Sequence, residues 1–145
     1  MSSLDSFNYA LEGLVHTLKT QKNMKIHFVL ASLALIGGIF LNITRTELIL
    51  LFLSIVFVIG MELVNTSVEV VVNMISEHYS YQARIAKNIA AGAVFMAAIN
   101  AVLVGYLVFY DKLCAFSLTM INNIQREPAH LTFITLALLL ILVVT

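Results

Sequence analysis

From Leu48 to Met61 the chain carries no charge. The apolar pattern then continues to Val72 with two carboxylates and two carboxamides set into it, Glu62, Asn65, Glu69 and Asn73. A stretch this long and this apolar reads as one continuous membrane-crossing helix. At 100° per residue the four polar side chains fall within a ~80° sector of that helix. A polar stripe in hydrocarbon costs several kcal/mol unless it faces protein, water or a ligand. The stripe therefore reads as a functional site.

Composition agrees with a membrane setting. Of 145 residues, 61% are apolar and only 11% charged, against roughly 25% charged in ordinary soluble domains. The length suits one domain. Formal net charge is zero, with eight scattered basic residues, which argues against nucleic-acid binding. The single cysteine, Cys114, excludes an intramolecular disulfide and a multi-cysteine metal site. The first twenty residues are amphipathic, unlike a signal peptide, so the first apolar helix is expected to direct insertion itself.

The expected fold is all-α: an N-terminal amphipathic surface helix, three transmembrane helices and a fourth apolar helix at the C-terminus. Over Ser3–Thr20, Phe7, Ala10, Leu11, Leu14, Val15 and Leu18 recur at helical spacing with polar residues between them, too polar to span, so this helix is placed on the membrane surface. Ile26–Leu41 forms the first span, with Lys22 and Lys25 positioned to snorkel at its start. Asn42–Thr46 is a turn, Glu47–Val72 the second span, and Asn73–Asn88 a polar connection. Ile89–Tyr110 is the third span, where Ala93, Ala97, Ala101 and Gly105 form a ridge for close helix approach. Asn100 is expected to hydrogen-bond across a helix interface. Asp111–His130 reads as a loop around the only proline, Pro128. Leu131–Thr145 is an apolar run that suits either a fourth span belonging to a larger protein or a short final helix.

Lys19, Lys22, Lys25, Arg84 and Lys87 lie on one side of this topology and Arg45, Lys112 and Arg126 on the other. The excess places the N-terminus and the connection after span two in the cytoplasm of a multi-pass protein of the cell membrane.

Two glutamates at the cytoplasmic end of a membrane helix suit a hard divalent cation or proton abstraction. With Lys87 close by, these are parts that phosphoryl transfer needs, although neither a Walker loop nor a kinase glycine loop is present. The residues alone leave a lipid-facing phosphotransferase and an ion or proton pathway both open.

The segment Glu62–Leu63–Val64–Asn65–Thr66–Ser67–Val68–Glu69, followed by Ala86–Lys87–Asn88–Ile89–Ala90–Ala91–Gly92–Ala93–Val94, resembles the signature of the small prokaryotic diacylglycerol kinase family. Asn23–Met24–Lys25–Ile26–His27 resembles the corresponding stretch of its undecaprenol kinase branch. The resemblance runs from about Phe7 to Leu113. It implies a homotrimer of three-span subunits that uses Mg2+ and ATP to phosphorylate a membrane lipid alcohol, undecaprenol or diacylglycerol, with its active site facing the cytoplasm. By that resemblance Glu62 is the catalytic base, Glu69 a metal ligand, and Asn65 a positioner of nucleotide or metal-bound groups, while Lys87 meets phosphate. His27 stands where other branches carry a glutamate, which implies a metal or nucleotide role beside the plainer one of an interfacial hydrogen-bonder. Arg84 is placed near phosphate or anionic lipid.

Two positions depart from the pattern. Where the family usually has aspartates, four residues after the second glutamate and directly after the lysine, this chain has Asn73 and Asn88. A carboxamide keeps the shape and one acceptor but loses the charge. Asn73 and Asn88 keep places as nucleotide- or phosphate-binding residues, with metal binding weakened, hydrogen bonding to the nucleotide altered, and turnover expected to be reduced or absent. The family pattern covers a kinase-like domain, 1–113, and leaves 114–145 as an extra loop and helix, a candidate start of a fused domain such as a lipid phosphatase. The alternative to an active kinase is a catalytically degenerate, kinase-like trimer that anchors a fused domain or binds lipid.

Overall fold

A computed structural model describes residues 2–75 and 80–126, and these form four helices with no strand among them: α1 (Ser3–Thr20), α2 (Lys22–Phe40), α3 (Arg45–Ile75) and α4 (Tyr81–Arg126). Three of the described helices, α2, α3 and α4, are long and apolar enough to cross a membrane. The all-helical architecture and the order of one amphipathic helix followed by three spans are as the sequence predicts. The fourth apolar run, Leu131–Thr145, lies outside the described residues, as do Glu77, His78, Glu127, Pro128 and His130.

The starts of α1 and α3 have local causes. Ser2 and Asp5 form a reciprocal capping box at α1, with Ser2 Oγ accepting from the Asp5 N–H and the Asp5 carboxylate accepting from the Ser2 N–H. Thr44 and Glu47 repeat the arrangement ahead of α3. α2 passes into α3 through a short turn in which Asn42 takes a left-handed φ of 52°, a conformation asparagine tolerates. The turn folds back tightly: Gly38 is buried, and a Cβ there would lie 2.6 Å from Ile43 Cδ1.

Two expected loops prove largely helical. The connection placed at Asn73–Asn88 shrinks at both ends, because α3 continues to Ile75 and α4 begins at Tyr81. Lys87 and Asn88 therefore sit on α4, whose first turn carries Arg84 5.6 Å over the Tyr81 ring. The loop expected from Asp111 is helix as far as Arg126. Polar composition suggested a break there, but no glycine or proline interrupts residues 111–126, and charged or polar residues alone do not end a helix.

The chain divides into two compact units, Met1–Val108 and Phe109–Thr145. In the first unit, α1 packs on both α2 and α3, and α2 on α3. Its buried apolar residues are Met24, Leu51, Val58, Ala90, Val94, Ala97 and Val108. They run along one face each of α2, α3 and α4, and most other large apolar side chains are exposed, as a bilayer-facing surface requires. Asn100 Nδ2 lies 3.4 Å from the buried Ser54 Oγ, the cross-helix bond expected for this asparagine. The ridge is partly inward: Ala97 is fully buried, with Ala93, Ala101 and Gly105 half-buried. In the second unit, residues 109–126 are the last turns of α4 and expose Leu113, Leu118, Met120, Ile121 and Cys114.

Candidate functional site

The polar stripe of α3 turns inward, as its spacing predicts. Glu62 is 1% exposed and Asn65 6%; Glu69, one turn on, is half-buried, and Asn73 reaches the exposed end of the helix. Burial therefore falls steadily along the stripe towards the helix end. Thr66, also buried, satisfies its hydroxyl by donating back to the Glu62 carbonyl at 2.9 Å, the usual solution for threonine in an apolar helix. The Glu62 carboxylate is not fully satisfied: its Oε2 and the Oδ1 of Asn65 are both buried without a hydrogen bond. Buried polar atoms are nearly always paired, so two unpaired acceptors side by side ask for a ligand that brings donors or positive charge.

There is space for one beside them. A cavity of about 270 Å³ lies in the first unit, with Glu62, Asn65, Asn23 and His27 as its polar lining. Ile26 of α2 and Val94 and Phe95 of α4 supply an apolar wall, while Ala91 and Ala98 keep that wall shallow. One chamber thus joins a carboxylate, an amide oxygen and an imidazole to a hydrocarbon-like surface. That pairing fits a molecule with a hydroxyl head and an apolar body.

The remaining candidates fall into two further groups. Asn65 Nδ2 donates to Glu69 Oε1 at 3.3 Å, linking the cavity to the second carboxylate. Farther along, Lys87 Nζ donates to Asn73 Oδ1 at 2.7 Å, tying the start of α4 to the end of α3. Asn88, next to Lys87, is exposed. His27 is half-buried and joins the Glu62 side of the site, where it lines the cavity. Gln21 was not among the residues expected at the site, yet its Nε2 donates to Glu69 Oε2 at 3.4 Å.

Oxygen donors dominate the set, the chemistry a hard divalent ion prefers. Glu69, half-buried on the same stripe, is the carboxylate that suits such an ion. Among the described residues, no three His, Cys, Asp or Glu side chains converge to hold a metal unaided. Substrate phosphates would then have to complete the coordination, as is common for magnesium.

Comparison with known proteins identifies the family of the chain. Residues 8–109 match the family model of prokaryotic diacylglycerol kinase. The chain is 34% identical over 108 residues to the undecaprenol kinase of Bacillus subtilis (strain 168), covering 74% of this chain and 88% of that protein. It is 38% identical over 103 residues to a diacylglycerol kinase of Synechocystis sp., covering 70% of this chain and 59% of that protein. Against the diacylglycerol kinase of Haemophilus influenzae it is 33% identical over 95 residues, covering 65% of this chain and 80% of that protein. The matched span contains the whole α3 stripe, Gln21, His27 and the Lys87 turn, and the chain belongs to the prokaryotic diacylglycerol kinase family.

Proposed function

We propose that this protein is a membrane lipid kinase that transfers the γ-phosphoryl group of ATP to the hydroxyl of a membrane alcohol, undecaprenol or diacylglycerol. The observation that carries the reading is Glu62: a buried carboxylate with one oxygen unpaired, facing a cavity whose other wall is apolar. A lipid alcohol brings an O–H donor to that oxygen and an apolar body to Ile26, Val94 and Phe95. The names of the Bacillus and Synechocystis relatives support both substrate classes.

Each residue of the chain then has a distinct task. Glu62 accepts the hydroxyl proton as the lipid oxygen attacks the γ-phosphorus, and the bond from that phosphorus to the β-γ bridging oxygen breaks, releasing ADP. Asn65 orients Glu69 and offers its free carbonyl oxygen towards the cavity. Lys87, held at the cytoplasmic end by a neutral amide, leaves Asn73 to meet phosphate charge, with Asn73 and Asn88 as polar contacts for nucleotide. His27 hydrogen-bonds within the cavity or joins the metal set. Magnesium, when held by Glu69 and the nucleotide, neutralises phosphate charge.

The basic residues Lys19, Lys22, Lys25, Arg84 and Lys87 favour a cytoplasmic site, where ATP is available. Three copies of the chain would close the site from the side that a single copy leaves open, and residues 1–113 form the kinase domain of each. The test is transfer of labelled phosphate from ATP to undecaprenol and to diacylglycerol in mixed micelles, using the purified full chain. Labelled lipid phosphate supports the reading. Nucleotide binding without turnover indicates an inactive kinase-like anchor, and ion flux without ATP affinity indicates a channel.

A further inference from the structure

Gln21 occupies an unusual place. It ends α1 and precedes α2, with extended backbone angles of φ −93° and ψ 122°. A polar residue there would ordinarily cap the following helix, but the Gln21 side chain makes no capping bond to α2. Its amide instead reaches Glu69, 48 residues away, and donates to Oε2 at 3.4 Å. Asn65 donates to the other oxygen, Oε1, at 3.3 Å. One carboxylate is thus held by two amide N–H groups, one from the α1–α2 junction and one from its own helix.

Both donors are neutral. They fix the orientation of Glu69 without cancelling its charge, a task that a bound cation performs in sites rich in carboxylates. A protein that binds a hard divalent ion unaided typically supplies several carboxylates. Here the Glu69 carboxylate is bonded by two amides, and no group of three acidic, imidazole or thiol side chains converges among the described residues. We infer that Gln21 is a positioning residue, holding Glu69 ready by an amide bond so that the divalent ion enters together with the nucleotide rather than before it. This rests on the kinase reading above and specifies how the same site is loaded.

The isosteric change Gln21→Glu separates the possibilities. It removes the donor and sets two carboxylates against each other, an arrangement relieved by a cation or a proton between them. Gln21→Ala removes the donor and adds no charge. The experiment measures Mn2+ binding by paramagnetic resonance of the free ion, using the full chain in detergent, with and without a non-hydrolysable ATP analogue. For the natural chain, Mn2+ uptake should be weak alone and strong with the analogue. Gln21→Glu should bind Mn2+ without nucleotide about tenfold more tightly than the natural chain, and Gln21→Ala should bind it with nucleotide about tenfold more weakly, the worth of one hydrogen bond to a charged group. The KM for the metal–nucleotide should rise in Gln21→Ala by more than kcat falls. Mn2+ binding by the natural chain alone that equals Gln21→Glu, or a Gln21→Ala variant indistinguishable from the natural chain, overturns the inference while leaving kinase activity standing. Loss of analogue binding by the natural chain overturns the kinase reading with it.

Discussion

Lys87 and Asn73 meet across the break between α3 and α4, the lysine ammonium donating to the asparagine carbonyl oxygen at 2.7 Å. A cation held by a neutral oxygen is released more cheaply than one held by a carboxylate, because no ion pair is broken. The contact therefore parks Lys87 where a triphosphate can take it over. Replacing Lys87 by methionine should raise the KM for ATP by about tenfold or more, the worth of one charge-assisted contact, with the helices intact by circular dichroism. An unchanged KM would remove Lys87 from the phosphate site.

By the resemblance of its motifs, Asn73 and Asn88 stand where aspartates are expected, which would leave the proposed site two negative charges fewer. Asn73→Asp combined with Asn88→Asp should strengthen magnesium dependence and raise phosphotransfer several-fold above the natural chain. Robust turnover before the changes, unaltered after them, would refute a weakened site.

The Asn100–Ser54 contact joins α4 to α3 inside the apolar layer. Removing it by Asn100→Leu leaves the buried Ser54 hydroxyl without that donor, and should cost about 0.5–1 kcal/mol. The readout is a lower unfolding midpoint in detergent with phosphotransfer per folded molecule preserved. A lost activity at unchanged stability would instead give Asn100 a role in the site.

Gly38 sets the closeness of α2 and α3 at their turn. A Cβ at this position would come 2.6 Å from Ile43 Cδ1 and 3.8 Å from Leu51 Cδ2. Gly38→Val should therefore destabilise the protein by about 1–3 kcal/mol, the range for overpacking a tight contact. Compensation by Ile43→Ala, which opens the space, would confirm the cause, and a neutral Gly38→Val would show that the turn relaxes freely.

The helices and the stripe were legible in the sequence for different reasons. The bounds of α1 follow from its amphipathic period and polar ends, and match the expectation residue for residue. Glu62 and Asn65 could be placed inward because angular spacing on a helix is nearly fixed, so four polar residues in one sector must share a face. The stretches after Asn73 and Asp111 are polar enough to suggest breaks, yet glycine and proline, the residues that end helices, are absent from 111–126. The role of Gln21 is not legible in the sequence, because its partner lies 48 residues away and no periodicity connects the two. Its only local signal is a glutamine at a helix junction that it does not cap.

The most direct test of the central claim compares the natural chain with Glu62→Gln in transfer of γ-phosphate from ATP to a lipid alcohol in micelles, alongside nucleotide binding by each. A general base contributes about 10²–10⁴-fold, so Glu62→Gln should lose turnover by that factor while still binding the ATP analogue. Equal turnover by the two proteins, or no labelled lipid from the natural chain with either alcohol at saturating magnesium, would contradict the account.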